Sequence, residues 1–492
     1  MRVVPRNGHC MAWLWLAALS AAGWGCSSFD TRPRSQSSAW FCWLQRLSGA
    51  GCSGVRQVFC SAFPFHPPDV WLPVRRNLLP YPEFTKHPKT VTTSSIPHSV
   101  FRILQSAFPI PTSKELPMSN TYRIGVIGFA HMHINSLLAQ FAAHPQSVLV
   151  AGADTMPIRP DTGDARSTRK WNAANAVEKI GLPKLYDDYH TMLAQEEFDI
   201  IICCAENNQH GDVAEACASA GVHMVVEKPM AASLAEGLRM ARSARAAGTR
   251  MIVNWPTAWS AIDRKAKTLL EAGEIGRVLQ VKWRGGHTGP LGPGVRHPGV
   301  VNQSEPLSGT VRGTTWWHQA AAGGGAMLDY CCYGSLISRW LVGEQATSVF
   351  GLRANLDSPW GDAEDNAAML VRFPSAYTIC EGSWTTLDHG VTPGPIVYGT
   401  MGTLLVEKKG ATSIVRVERG AGQTIVYEAD ALQAGRTDIA EEMIHHLDTG
   451  DPLYPMLDLD FNLEVMAILD AGLRSAATGK AESVDNGVWR LG

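Results

Sequence analysis

The chain has little net charge, no zinc-type cysteine spacing and, after Gly25, no long apolar run, and each of these removes a class of function. Its 43 Lys and Arg against 45 Asp and Glu leave a formal charge of -2. Nucleic acids and anionic membrane surfaces are bound through a net positive face, so neither is an expected partner. The 11 cysteines fall in no metal-ligand pattern, and no metal is expected from them. The adjacent pairs Cys203-Cys204 and Cys331-Cys332 lie inside apolar segments, where cysteine acts as a small hydrophobe, and the compartment reads as reducing. After Gly25 no stretch approaches the roughly 18 to 20 unbroken apolar residues of a membrane helix. The sequence shows no internal repeat. Its 492 residues leave room for several domains, and small molecules are the expected ligands.

Residues 1–117 differ from the rest. They are crowded with Trp, Cys, Ser, Arg and Pro and carry neither helical nor strand periodicity. Met11 to Gly25 follows Arg2 and Arg6 in the outline of a secretory signal, but Gly23-Trp24-Gly25 makes a poor cleavage site. Met118-Ser119-Asn120-Thr121 leads straight into an apolar strand, as an ordinary cytoplasmic start does. The expectation is an extension that is disordered or not part of the mature protein. The main body is expected to be soluble and cytoplasmic, or secreted or periplasmic if the apolar segment is a genuine signal.

Two further domains are expected, at 118–256 and 257–492. In the first, apolar strands at Tyr122–Ile127, Val148–Ala153, Asp199–Cys204 and Val222–Val226 alternate with helical stretches at Ile134–Ala143, Lys170–Ile180 and Asp212–Ala220. Strands that are apolar throughout and alternate with helices imply a Rossmann-type, doubly wound parallel sheet. After Pro256 the pattern changes to one helix, Ala261–Ala272, followed by strands of period two at Val278–Trp283, Ala367–Phe373 and Thr378–Trp384. That predicts an α+β domain with a mostly antiparallel, open sheet. His287 to Gly313, rich in Gly and Pro, reads as a loop over a site. Two terminal helices, Asp438–Leu447 and Phe461–Ala477, are expected to brace the domains together, and the open sheet suits a homo-dimer or tetramer.

The first turn, Gly128-Phe129-Ala130-His131-Met132-His133, keeps only the first glycine of a dinucleotide fingerprint. Asp154, ending the second strand 26 residues later, stands where a carboxylate accepts hydrogen bonds from ribose hydroxyls. A carboxylate there repels a 2′-phosphate, so NAD is favoured over NADP. A strand ending in Glu227-Lys228-Pro229 follows. These features, with Asp199 to His210 (DIIICCAENNQH), Gly323 to Asp329 (GGGAMLD) with Tyr333, Val397 to Gly402 and Ala471 to Gly479, resemble the Gfo/Idh/MocA family of nicotinamide-dependent oxidoreductases over nearly all of residues 122–485. The resemblance implies that Gly128, Phe129, Ala130, His131 and Met132 wrap a pyrophosphate. It also implies that Asn207 and His210 lie beside the nicotinamide half, and that Glu227 and Lys228 reach its ribose and amide. Ala205-Glu206 departs from the family's Thr-Pro and brings a carboxylate close to the cofactor.

Oxidation of an alcohol by nicotinamide needs a group that takes the hydroxyl proton as hydride leaves. Lys228 is one candidate, because a neighbouring oxidised nicotinamide lowers an ammonium's pKa. Tyr333 is the other: many family members carry a histidine at its position, whereas a tyrosine resembles the branch of glucose-fructose oxidoreductase and dihydrodiol dehydrogenase. Tyr333 is expected as acid/base with Lys228 assisting and Asp329 orienting. Asn254, Trp317 and His318 are the substrate candidates, and the missing arginine near Asn254 points to a neutral sugar, cyclitol or related polyol. Two other readings stay open. One is a non-catalytic NAD-binding sensor, given the degenerate turn. The other is a metal-dependent amidohydrolase, given His131-Met132-His133, which the change of pattern after Pro256 disfavours.

Overall fold

The computed structural model describes residues 120–156, 168–293, 295, 307–386, 394–410 and 412–487. The expectations for residues 1–117 and for the centre of the 287–313 loop fall outside them.

The first sheet has six strands: β1 (Tyr122–Ile127), β2 (Ser147–Ala153), β3 (Leu185–Tyr186), β4 (Ile200–Cys203), β5 (His223–Glu227) and β6 (Met251–Asn254). They run parallel in the order β3-β2-β1-β4-β5-β6. Ile124, Val126 and Ile127 of β1 and Ile200, Ile201 and Ile202 of β4 are fully buried, which is why these strands read as continuous apolar runs. Helix α1 (Ile134–Ala143) packs by Ile134, Leu137, Leu138 and Phe141 and stops at the extended His144, as a residue before proline must. The expected helix over 170–180 starts as α2 (Arg169–Asn175) and finishes as one π-helical turn, Ala176–Ile180, closed by Gly181 at φ 95°.

Four elements of the first domain lie beyond the sequence expectation: the short strand β3, helix α3 (Tyr189–Gln195), helix α5 (Leu234–Ala247) and strand β6. Helix α4 (His210–Ser219) starts two residues before its expected position. The strand order reverses between β1 and β4. A crevice therefore opens beyond their carboxyl ends, where residues 128–133 and 204–207 emerge, with Lys228 following β5 beside them.

The second sheet contains β7 (Val278–Gly286), β8 (Ser348–Ala354), β9 (Asn366–Arg372), β10 (Tyr377–Ser383), β11 (Ile396–Gly399), β12 (Gly402–Lys409), β13 (Thr412–Arg419), β14 (Gln423–Tyr427) and β15 (Glu482–Ser483). Its order is β14-β13-β12-β11-β7-β10-β9-β8-β15, antiparallel except for the parallel pair β7 and β10. Helix α6 (Ala261–Glu271) precedes it. Helix α7 (Cys332–Val342) crosses one face, where Gly334 leaves no room for a β-carbon against Cys380.

The two closing helices, α8 (Ile439–Thr449) and α9 (Leu459–Thr478), do brace the domains. From α9, Asn462 Oδ1 accepts from Trp255 Nε1 at 2.6 Å and Asp470 Oδ1 from Leu234 N at 3.5 Å on the nucleotide side. Ser475 Oγ accepts from Gly351 N at 2.9 Å on the antiparallel side. Helix α8 adds Asp448, which accepts from the Tyr122 hydroxyl at 2.7 Å. No helix among the described residues is long and apolar enough to cross a membrane.

Candidate active site

The turn after β1 is set by Gly128 at φ 93°, where a β-carbon would lie 2.4 Å from the backbone nitrogen of Ala205. Only glycine lets the β1 and β4 ends approach so closely. His131 N donates to Cys204 O at 3.0 Å, and Trp316 Nε1 from the second domain donates to Ala130 O at 3.1 Å. Phe129, Ala130, His131 and Met132 are all buried in this turn. His133 N donates to His131 Nδ1 at 3.2 Å, while His133 Nδ1 lies 2.9 Å from Glu227 Oε1.

At the end of β2, Asp154 is buried and ion-paired with Arg169, whose other nitrogen pairs with Glu206. The charge introduced by Ala205-Glu206 is thus answered by Arg169, which the sequence reading missed because the two positions are 37 residues apart. Burial lifts the Asp154 carboxyl above the usual range although Arg169 opposes it. Asp154 Oδ1 also accepts from Thr155 N at 2.8 Å, whereas Oδ2 is buried with no hydrogen-bond partner among the described residues. A ribose hydroxyl is the donor such an orphan acceptor lacks, so Asp154 fits the dinucleotide.

Glu227 and Lys228 leave β5 in opposite directions. Glu227 is fully buried and accepts from Asn254 Nδ2 at 2.8 Å. Burial raises its pKa, but His133, Lys228 and Asn254 outweigh that and keep the carboxyl below its ordinary range. Lys228 Nζ crosses to the second domain, 2.7 Å from Asp329 Oδ1 and 3.2 Å from Asp329 O. Burial favours the neutral amine, yet the Asp329 carboxylate prevails and holds the ammonium well above its usual range. Asp329 shifts downward correspondingly, burial being overcome by Lys228. The lowering expected for Lys228 is therefore not a property of the protein groups alone.

Asp329 lies in a π-helical turn, Met327–Cys331, that leads into α7. Trp384 Nε1 donates to Asp329 Oδ2 at 2.9 Å, so both carboxylate oxygens are held. Just before it, Gly325 takes φ 113°, and a β-carbon there would meet Glu364 at 2.4 Å. Tyr333 packs between Trp283, stacked at 6.0 Å, and Trp255, edge-on at 5.4 Å. Lys228 Nζ sits 4.9 Å from the centre of its ring, over the face, and burial drives the phenol's pKa up.

These groups face a cavity of about 350 Å³ whose walls include His131, His133, Lys228, Trp283, His287, Trp317, Asp329 and Tyr333. A larger groove, about 730 Å³, lies between Arg245, His446 and the start of α9. It holds none of the motif residues, whereas Lys228, Asp329 and Tyr333 all line the smaller cavity.

Several sequence candidates stand behind the cavity wall. Asn254 is 5 % exposed and serves Glu227. His318 is fully buried against Trp384 and Trp360, so of the three substrate candidates only Trp317 lines the cavity. Asn207 Nδ2 donates to Gly323 O at 2.7 Å, tying the glycine turn to the nucleotide domain. His210 is buried between the carbonyls of Met230 and Ala205, and burial lowers its imidazole's pKa although both carbonyls oppose the shift. His287 was not anticipated. It opens the Gly- and Pro-rich loop and turns its ring edge-on to Tyr330 at 5.2 Å, with its pKa lowered by burial to about 4.

A parallel nucleotide-binding sheet whose carboxyl edge meets a second domain across a Lys–Asp pair defines a two-domain, dinucleotide-dependent oxidoreductase. Family models described as the oxidoreductase family with NAD-binding Rossmann fold, and as the GFO/IDH/MocA C-terminal domain, match residues 122–255 and 264–405, and the chain belongs to the Gfo/Idh/MocA family. It is 24 % identical to myo-inositol 2-dehydrogenase of Thermotoga maritima, over 56 % of this chain and 77 % of that protein. It is 22 % identical to D-xylose 1-dehydrogenase (NADP(+)) 2 of Haloferax volcanii, over 73 % of this chain and 99 % of that protein. Among solved structures, aldose-aldose oxidoreductase from Caulobacter crescentus has the same fold, with a TM-score of 0.57 at 19 % identity over 74 % of this chain and all of that one. Myo-inositol 2-dehydrogenase from Lactobacillus plantarum gives 0.56 at 18 % identity over the same shares.

Proposed function

We propose that the chain is an NAD-dependent dehydrogenase or reductase of a neutral sugar, cyclitol or related polyol, with Lys228 and Asp329 as its acid/base couple. The observation that carries this is the 2.7 Å contact between these two residues, from opposite domains, on the wall of a cavity flanked by tryptophans. A bound nicotinamide supplies the hydride acceptor or donor. Lys228 Nζ, already donating to Asp329, takes up the substrate hydroxyl proton while passing one of its own to the carboxylate. The ammonium stays charged, and Asp329 carries the extra proton. Trp384 fixes the carboxylate for that exchange. Tyr333, whose ring Lys228 overlies, orients the ammonium and offers a second hydroxyl to the substrate. Trp283 and Trp317 give the faces that suit the apolar side of a polyol ring. The name of each relative above includes a sugar or cyclitol, which supports the substrate class.

Asp154, at the adenosine end, favours NAD over NADP. The test is binding followed by turnover. NADH titrated into the full chain is expected to show fluorescence enhancement and a tighter Kd than NADPH, and a polyol and inositol panel is expected to give absorbance change at the nicotinamide band. Absence of binding for both cofactors would sink the reading. Binding without turnover on any substrate would favour a sensor.

A further inference from the structure

We propose that His131, His133 and Glu227 form a site for a divalent transition metal, of the zinc, manganese or cobalt class, at the mouth of the cofactor crevice, and that the metal and the dinucleotide exclude one another. One ligand atom from each of the three residues lies within 4.8 Å of the other two. Two imidazoles and a carboxylate are the donor set that such ions select over magnesium or calcium. His133 Nδ1 and Glu227 Oε1 are 2.9 Å apart, close to the spacing of neighbouring ligands around an ion with bonds of about 2.0–2.1 Å. The ion takes the place of the proton they share. The His131 ring, its centre 4.3 Å from that of His133, closes the set on the side of Trp316 and Trp317.

Three further features belong to a metal centre. Glu227 is fully buried, and its second oxygen accepts from Asn254 Nδ2 at 2.8 Å, an outer contact of the kind that aims a ligating carboxylate. The nearest ammonium, that of Lys228, is committed to Asp329 across the cleft, so the hydrogen-bond partners of Glu227 are an imidazole and an amide. Both histidines face the cavity, which leaves the remaining coordination positions open to solvent or a hydroxyl ligand. The positive end of α1 opposes a cation here with roughly half a charge, against the whole charge of the carboxylate.

The exclusion rests on the cofactor reading above, because the turn holding His131 and His133 is the one that would wrap the pyrophosphate. Its test separates the two readings. The full chain, stripped with chelator, is titrated with Co²⁺ and followed by visible absorption, and with Zn²⁺ followed by calorimetry and thermal unfolding. The expected result is one ion per chain, tetrahedral or five-coordinate cobalt bands, and a rise in Tm with zinc. His131→Ala and His133→Ala are expected to weaken binding by at least about tenfold each, and Asn254→Ala by about 10- to 100-fold through the loosened carboxylate. Circular dichroism of each variant controls for folding. NADH affinity, read by fluorescence, is expected to fall at least about tenfold at saturating zinc. No cobalt bands, or binding unchanged in both histidine variants, overturns the site. NADH affinity indifferent to bound zinc overturns the exclusion. A metal-free chain that binds no NADH, while the cobalt spectrum persists, refutes the cofactor reading and leaves the metal site standing.

Discussion

Lys228 has two neighbours that could share its proton, and the distances separate them. Asp329 is in direct hydrogen-bond contact, whereas Tyr333 offers the face of its ring. Removing the couple should therefore cost more than removing the phenol. Lys228→Met and Asp329→Asn are each expected to lower kcat by about 10²- to 10⁴-fold, the usual worth of a positioned acid or base. Tyr333→Phe should cost less than about tenfold. Steady-state kinetics on the substrate found in the panel decides, and a larger loss in Tyr333→Phe restores the tyrosine as the acid/base. His318 poses a different question. Both its ring nitrogens are buried without partners among the described residues, next to Arg312, Asp365, Trp360 and Trp384. Burial, aided by Arg312 and opposed by Asp365, lowers its pKa from 6.5 to about 4. The unfolded chain therefore binds a proton that the folded chain refuses between those values. This part of stability is intact above pH ~6.5 and shrinks by about 3 kcal/mol as pH falls to 4. His318→Phe, which removes the orphan nitrogens, should gain about 1 kcal/mol at pH 7 and flatten the acid limb of a Tm–pH series. A loss of kcat/KM in that variant would instead place the imidazole at the substrate.

At the level of elements, the ease of reading a helix depended on what its buried face is made of. Helix α1 buries Ile134, Leu137, Leu138 and Phe141, a large apolar stripe that the sequence displays openly. Helix α5 buries Leu234, Gly237, Met240, Ala241 and Ala244. Only Leu234 and Met240 of that face are large, and the charged residues around them leave the segment polar on average, so the Ser233 cap and the Gly248 stop are its plainer signals. Strand β6 after it is a run of only three apolar residues, Met251 to Val253, ended by Asn254. The same limit applied at the site. Glu227, Lys228 and Asp329 stood in recognisable motifs, but Arg169 and His287 acquire meaning only from partners brought in by the fold. Arg169 links α2 to the ends of β2 and β4 through Asp154 and Glu206. Arg169→Met leaves two buried carboxylates unpaired and should cost about 3–5 kcal/mol. Because unpaired carboxylates bind protons more tightly when folded, the deficit should narrow as pH drops from 7 towards 5. Chemical denaturation at the two pH values measures it, and an equal deficit at both would show that packing, not charge, is what Arg169 supplies.

For the molecule as a whole, the two sheets differ in how they are covered. The parallel sheet carries helices on both faces. The antiparallel sheet has α7 and α9 on one side, and its other side exposes Phe350 (46 %), Leu352 (64 %) and Leu370 (46 %). Phe350 and Leu370 are direct cross-strand partners, and Ile379 of β10 continues their row. Apolar side chains aligned over three strands form a contiguous patch of the kind that protein interfaces cover, rather than scattered surface residues. A second copy meeting it by twofold symmetry would bury the same row twice, and the cavity, whose Trp283 lies on the opposite face of the sheet beside α7, would stay accessible. The full chain is accordingly expected to sediment as a dimer or tetramer of its 53.3 kDa protomer. Phe350→Lys combined with Leu352→Lys should shift it to monomer without altering NADH affinity, since neither residue lines the cavity. Sedimentation velocity with NADH fluorescence on the same samples tests both halves. A wild-type chain that is monomeric at tens of micromolar would show that the open face serves something other than self-association.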